Sequence, residues 1–233
     1  MKSLVVVPTY NEKENIVRLA PTLLALLPDI EILVVDDNSP DGTAQVVNEM
    51  KMQFPHVHLL LRAEKQGLGR AYLDGFAWGL QRGFQVIVEM DADFSHRPDD
   101  LRKLIEALKD PTIDFVVGSR YIKGGGIEKW TYLRMAISRF GSLYSRWVLG
   151  FPLKDWTGGF NGWKREVLEK IELQKIISNG YCFQIEMKYR ALKKGFRGKE
   201  VPITFANRHF GKSKMSLKVF VEAFYKIWVI RNV

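Results

Sequence analysis

One cysteine, Cys182, stands in the whole 233-residue chain. It excludes an internal disulfide and suits a reducing compartment. Nothing beside it suggests a catalytic partner, so it reads as a small packing residue. No stretch approaches the roughly 20 apolar residues that cross a bilayer. An apolar strand begins at Ser3, where a secretory leader would begin. The chain as given is therefore expected not to span a membrane. No basic run marks a nucleic-acid tail, and nucleic acid is not expected as a partner. Linkers rich in Pro, Gly or Ser, internal repeats and low-complexity tracts are also missing, so residues 1–233 are expected to form a single domain.

Glycine loops that cradle phosphates are missing too. A dinucleotide-binding fold carries GxGxxG after its first strand, but that position reads PTYNEKEN. The GLG at 67–69 is too short and follows the third strand, and no Walker loop occurs. Phosphates, if bound, need another positive element.

What is present favours anionic partners. Lys plus Arg number 35 against 26 Asp plus Glu, a formal charge of +9. That excess suits nucleotide phosphates or an acidic membrane surface. Hydrophobic residues make up 46%, enough for a substantial core rather than disorder.

Apolar runs alternate with helical patterns. Strands are expected at 3–7 (SLVVV), 31–35 (EILVV), 56–61 (HVHLLL), 85–90 (QVIVEM) and 114–119 (DFVVGS). Helices are expected at 12–27, 43–53, 70–82 and 98–108, with Pro21 bending or splitting the first. Strands apolar throughout and alternating with helices predict an α/β fold with a mainly parallel sheet covered on both faces. After Tyr121 the alternation weakens: a glycine run at 124–126, a helix at 131–149, a WTGGFNGW turn, a helix at 181–194 and a strand at 198–205. In such sheets ligands sit beyond the carboxyl ends of the strands. PTYNE, DDNSPDGT, DADFSH and GSRY all fall there.

Asp91 and Asp93 follow the fourth strand, two residues apart and hence on one side of an extended segment. Two hard oxygen ligands with positions left open suit Mg²⁺ or Mn²⁺ bridging to a substrate's phosphates. Such an ion would supply the positive element that the missing glycine loop does not. Asp37 is read as a nucleoside contact, and Asp36 is left between that role and capping the NSPDGT turn. In the first loop Tyr10 can stack on a base and Glu12 can accept its hydrogen bonds.

PTYNEKENI, VVDDNSPDGT, GLGRAYLDG, MDADFSH, GSRY, DWTGGF and YCFQIEM, in this order, resemble the dolichyl-phosphate mannose synthases over about residues 3 to 215. These are polyprenyl-phosphate glycosyltransferases of glycosyltransferase family 2. The resemblance implies a GT-A fold, a mainly parallel Rossmann-like sheet with C-terminal amphipathic helices. It also implies metal-dependent, inverting transfer of mannose from GDP-mannose to a polyprenyl (dolichyl) phosphate at the cytoplasmic face of a membrane, the enzyme being peripheral. Carried over, it puts Pro8, Tyr10, Glu12, Val35 and Asp37 around the nucleoside, with Asp91 and Asp93 on the metal and Ala92 near the donor. The family often has Gln two residues after the second aspartate; here Ser95 stands there as a candidate metal contact. Arg120, Arg134 and Ser138 match acceptor-phosphate positions, with Arg120 and Asp93 the catalytic candidates and Arg120 also near the donor. Arg208 and Lys214 match a basic loop over the donor diphosphate. Gln184 and Glu186 are read either as sugar contacts or as structural.

A phosphomonoester acceptor also explains the lack of an obvious general base, because it is already largely dianionic at neutral pH. On the 131–149 helix, Arg134, Ser138, Arg139, Ser142, Ser145 and Arg146 share a polar arc, with Met135, Ile137, Phe140, Tyr144, Trp147 and Val148 opposite. Such a helix can lie in a membrane interface. The 216–233 tail carries a narrow polar stripe of Lys218, Glu222 and Lys226 and is expected to face a membrane or a membrane-anchoring partner subunit. The rivals are a relative using UDP-glucose or a similar donor, a sugar-phosphate nucleotidyltransferase and a non-catalytic lipid-binding module. The nucleotidyltransferase would bring a glycine-rich loop near its start, and the lipid module gives no reason for an intact Asp-x-Asp.

Overall fold

The computed structural model describes residues 1–206 and 217–232. Its first half alternates strand and helix: β1 (Ser3–Thr9), α1 (Lys13–Leu26), β2 (Ile30–Asp36), α2 (Thr43–Gln53), β3 (Val57–Leu61), α3 (Leu68–Gln81), β4 (Val86–Glu89), α4 (Pro98–Ala107) and β5 (Phe115–Ser119). There follow β6 (Gly126–Ile127), α5 (Tyr132–Leu149), β7 (Asn161–Lys164), α6 (Arg165–Lys170), α7 (Gly180–Lys193), β8 (Gly198–Pro202), β9 (Thr204–Phe205) and α8 (Leu217–Arg231).

The main sheet runs β3-β2-β1-β4-β7-β5-β8. Pairings β3–β2, β2–β1, β1–β4 and β5–β8 are parallel, while β7 is antiparallel to both its neighbours. Alternate residues feed two cores. Leu4, Val6, Leu33 and Val35 pack with Tyr72 and Phe76 of α3, and Val5, Val7, Ile32 and Val34 pack with Ile16 and Leu19 of α1 and Leu101 of α4. Both sheet faces are therefore dry, and the polar residues collect at the strand ends. Because β2 and β4 flank β1 on opposite sides, the chain reverses direction across the sheet there. In open α/β sheets such a reversal marks the ligand-binding edge, here the carboxyl ends of β1 and β4.

Three local expectations need correction. Pro21 does not split α1, which runs unbroken from Lys13 to Leu26. The burial of Leu19, Ala20 and Leu23 holds the helix against that local loss. The WTGGFNGW segment is more than a turn, since Asn161–Lys164 form β7 between β4 and β5. A Cβ on Gly162 would meet Leu108 Cδ1 at 2.8 Å and Val116 Cγ2 at 3.0 Å, so close packing requires glycine in this strand. The 198–205 strand divides at Ile203: β8 pairs with β5, and β9 pairs with β6 in a separate two-stranded sheet. Among the described residues no helix is long and apolar enough to cross a membrane.

Candidate active site

The loops after β1, β2 and β4 leave the same edge of the sheet. Each carries a non-glycine residue in the left-handed region, Asn11 (φ 60°), Asn38 (φ 55°) and Phe94 (φ 60°). Asparagine tolerates that conformation, but phenylalanine is strained there. The strain at Phe94 is held by its neighbours, since Ser95 donates its amide (3.0 Å) and its hydroxyl (2.5 Å) to Asp93 Oδ1. Such strain clusters at ligand sites.

Asp91 and Asp93 differ in setting. Asp93 and Ser95 are buried, whereas the Asp91 side chain is 29% exposed. Tyr72 donates to Asp91 Oδ1 at 3.4 Å, and burial followed by the nearby Asp91 keeps that phenol protonated far above its usual range. The Asp91 amide donates to His96 Nδ1 at 3.1 Å, so the neutral ring carries its proton on Nε2, 4.0 Å from Asp91 Oδ2. His96 is a residue of this loop for which sequence reasoning had no role. Among the described residues no three His, Cys, Asp or Glu side chains converge to hold an ion by themselves. Two carboxylates on one turn, one of them open to solvent, fit a hard cation that takes its remaining oxygens from substrate and water.

At the ends of β1 and β2, Pro8 and Val35 are register partners, as are Thr9 and Asp36. Asp36 is wholly buried and accepts from Thr9 Oγ1 (2.8 Å), Ser39 N (2.8 Å) and Ser39 Oγ (2.6 Å), so its oxygens serve the turn. Asp37 accepts from Arg62 Nη1, while Arg62 Nε donates to Asp74 at 2.8 Å. Burial pushes the Asp37 carboxyl above its usual range, against the pull of Arg62 and Lys65. The Lys65 ammonium stands 3.5 Å from the Tyr10 ring centre. Glu12 accepts from Asn15 Nδ2 at 2.6 Å. Ala92 is buried. Arg62 and Lys65 had no sequence signal beyond lying next to the third strand; only the fold brings them to Asp37 and Tyr10.

A second group forms after β5. Arg120 makes a two-pronged pair with buried Asp155, Nε to Oδ2 and Nη2 to Oδ1, each at 2.7 Å. Nη2 also donates to Thr157 Oγ1 at 2.9 Å. Arg134 lies over the Trp130 ring at 3.9 Å, and Arg120 stands 5.7 Å from the same ring centre. Ser138 accepts from the Tyr121 hydroxyl at 2.7 Å and lies 3.4 Å from Thr157 Oγ1. Arg120, Arg134 and Ser138 are thus brought together around Trp130 and Thr157. Three rings link this group to the acidic loop. His96 meets Phe205 edge-on at 5.5 Å, and Phe205 meets Trp130 edge-on at 5.3 Å.

Beneath both groups lies a buried polar layer. Glu89 accepts from Trp163 Nε1 (2.6 Å) and from Gln184 Nε2, and Gln184 in turn accepts from Asn161 (2.7 Å). Burial pushes Glu89 up to about 7 and Lys188 down to about 8. Glu186 accepts from Ser178 N (3.0 Å) and Arg190 Nε (2.8 Å), which ties α7 to the preceding loop. Gln184 and Glu186 therefore serve the framework. Arg208 and Lys214 lie outside the described residues.

The two arcs read from the α5 sequence divide differently in the structure: the serines turn inward with Val148, while Arg139 and Arg146 stay exposed beside large apolar side chains. Ser138, Ser142 and Ser145 are buried, and Leu133, Phe140, Leu143 and Trp147 are exposed, Trp147 at 73%. In α8, Ile227 and Ile230 join the core while Tyr225 and Trp228 remain exposed. Trp228 Nε1 donates to Tyr144 OH at 2.8 Å, and the Phe224 ring lies tilted against Tyr144 with centres 4.4 Å apart. One side of the tail therefore packs on the protein, and the other extends the aromatic face of α5.

A mainly parallel α/β sheet with an Asp-x-Asp loop at its switch point defines a GT-A glycosyltransferase. Residues 4–172 match the model for glycosyl transferase family 2, and the chain belongs to that family. It is 47% identical over 234 residues to a polyprenol monophosphomannose synthase from Mycolicibacterium smegmatis, covering 99% of this chain and 88% of the relative. It is 46% identical over 223 residues to an undecaprenyl-phosphate mannosyltransferase from Micrococcus luteus, covering 96% and 91%. Among solved structures, a Pyrobaculum calidifontis mannosyltransferase in complex with GDP-Man and Mn²⁺ shares the fold. Its TM-score is 0.63 at 19% identity, over 99% of this chain and 62% of that one. Glucosyl-3-phosphoglycerate synthase from Mycobacterium tuberculosis gives a TM-score of 0.68 at 17% identity, over 98% and 76%.

Proposed function

We propose that this glycosyltransferase moves mannose from GDP-mannose to a polyprenyl phosphate, with inversion, as a peripheral enzyme at the cytoplasmic face of a membrane. The observation that carries the reading is the pairing of opposite charges along one sheet edge. The acidic Asp91–Asp93 loop connects through His96, Phe205 and Trp130 to Arg120 and Arg134. A donor diphosphate needs the first pole and an acceptor phosphate needs the second. The names of the two relatives at 47% and 46% identity support mannose as the sugar and a polyprenyl phosphate as the acceptor.

Asp91 and Asp93 would hold Mg²⁺ or Mn²⁺, with Ser95 orienting Asp93. When bound, that ion neutralises charge on the departing diphosphate as a Lewis acid. Tyr10, Glu12 and Asp37 receive the nucleoside, with Pro8, Val35 and Ala92 shaping the pocket. Arg120 and Arg134, supported by Ser138, orient the acceptor phosphate and offset its repulsion from the donor. A phosphate oxygen then attacks the anomeric carbon as the bond to GDP breaks on the opposite face. That oxygen carries no proton to remove, so no general base is required. Arg208 and Lys214, outside the described residues, are assigned to the donor diphosphate by the family resemblance alone. The exposed aromatic face of α5 and α8 meets the lipid surface, where Trp and Tyr sit well.

The test is a donor panel: GDP-mannose, UDP-glucose and UDP-GlcNAc with polyprenyl phosphate and Mn²⁺ or Mg²⁺. Transfer from GDP-mannose alone supports the reading. Preference for UDP-glucose would move the protein to a different sugar on the same acceptor.

A further inference from the structure

We infer that Lys188 is a positioning residue for the acceptor side, holding the 155–158 loop so that Asp155 and Thr157 fix the plane of the Arg120 guanidinium. The inference rests on the proposed acceptor role of Arg120.

Lys188 lies on α7 and is wholly buried. Its ammonium donates to three carbonyls of one loop, Asp155 O (3.2 Å), Trp156 O (3.1 Å) and Gly158 O (2.8 Å). Burying an ammonium costs several kcal/mol unless its donors are matched. Its neighbours on α7 mix apolar Phe183, Ile185, Met187 and Ala191 with buried Gln184, Glu186 and Arg190, and an apolar residue at 188 would remove the positive charge that Asp155 and Glu89 face. It would leave three inward-turned carbonyls poorly satisfied.

Those carbonyls turn inward because the other face of the loop is committed elsewhere. Asp155 N donates to Glu200 Oε1 at 3.0 Å, Trp156 N to Ser142 Oγ at 3.2 Å and Gly158 N to Asp155 Oδ1 at 3.0 Å. Side chains from β8, α5 and α7 thus converge on a four-residue loop. Its product is the Asp155 carboxylate, which accepts the backbone amide of Arg120 (3.0 Å) as well as both guanidinium prongs. Thr157 adds a third contact to that guanidinium. An arginine locked in this way meets a phosphate with its orientation already set. Lys188 also adds positive charge behind Asp155, whose carboxylate would otherwise cancel that of Arg120.

The experiment uses the full chain with Lys188→Met, read in two ways. The first is the NMR signal of the Arg120 Nε–H, identified by its loss in Arg120→Lys. We expect that signal to shift in Lys188→Met and its hydrogen exchange to quicken by about tenfold or more. The second is kinetics: kcat/KM for polyprenyl phosphate should fall by roughly tenfold or more, with GDP affinity by calorimetry within about twofold. In an Arg120→Ala background the same substitution should add almost nothing. An unchanged Arg120 signal overturns the inference, as does an equal loss of donor affinity. A perturbed signal with unchanged acceptor kinetics in both Lys188→Met and Arg120→Ala overturns instead the acceptor role of Arg120. Should Lys188→Met fail to fold, Thr157→Val removes one guanidinium contact within the same loop. It is expected to give the same acceptor-selective loss, and wild-type acceptor kinetics there would sink the proposal.

Discussion

Ser95 spends both its amide and its hydroxyl on one oxygen of Asp93, at 3.0 and 2.5 Å. The serine therefore orients the aspartate whether or not it also touches an ion. Asp93→Ala should abolish measurable transfer with the fold intact by circular dichroism. Ser95→Ala should weaken Mn²⁺ activation by about 10- to 100-fold, the usual loss when a ligand's supporting hydrogen bond is removed. Metal titration of turnover separates the two variants. Full activity of the wild type in excess chelator would remove the ion from the reaction.

Arg134→Ala and Arg120→Ala should raise the KM for polyprenyl phosphate by about ten- to hundredfold, the equivalent of a lost charge-assisted hydrogen bond. Affinity for GDP-mannose should change little. Calorimetric titration of the donor into each variant is the check. If donor binding collapses while acceptor saturation is unaltered, these arginines serve the other substrate.

Stability should report the Arg120–Asp155 pair through pH. Burial alone would raise the Asp155 carboxyl, but the Arg120 charge and hydrogen bonds, with Lys188, hold it below its ordinary value of 3.8. A lowered carboxylate contributes stability that is complete above the unfolded value and lost as pH falls through the folded one. Asp155→Asn should therefore lower Tm most near neutrality, and the gap from wild type should narrow below about pH 3.8. Thermal melts from pH 7 to pH 3 decide this; a gap constant across that range would contradict it.

Leu143 and Trp147 lie on the outward arc of α5, at 61% and 73% exposure. Replacing both with serine removes apolar area that would otherwise enter a lipid interface. Sedimentation with anionic vesicles should weaken by roughly tenfold or more, while Tm holds or rises. Unaltered vesicle binding would shift the anchor to other residues. Deleting 217–233, by contrast, should lower Tm, because Ile227 and Ile230 belong to the core.

The alternating elements up to β5 were legible because each strand is apolar on both faces and each helix shows its own period. The acidic loop was legible because Asp91 and Asp93 follow a buried strand directly. β7 was hidden by its composition. Gly162 occupies it because Leu108 and Val116 leave no room for a side chain, and glycine carries no strand signal. The orientation of α5 was hidden for a different reason. Periodicity groups its serines with Arg139 and Arg146 but does not say that only the serines turn inward, where Ser142 finds its partner in the backbone amide of Trp156, 14 residues on. Lys65 on Tyr10 and Asp155 on Arg120 pair across 55 and 35 positions, distances at which local pattern carries no information.

Strand β7 also sets a length. It lies between β4 and β5 and runs against both, so the ends of β4 and β5 reach the same edge two strand spacings apart, roughly 10 Å. The inserted strand works as a ruler. It holds the acidic loop and Arg120 two strand spacings apart along one edge of the sheet.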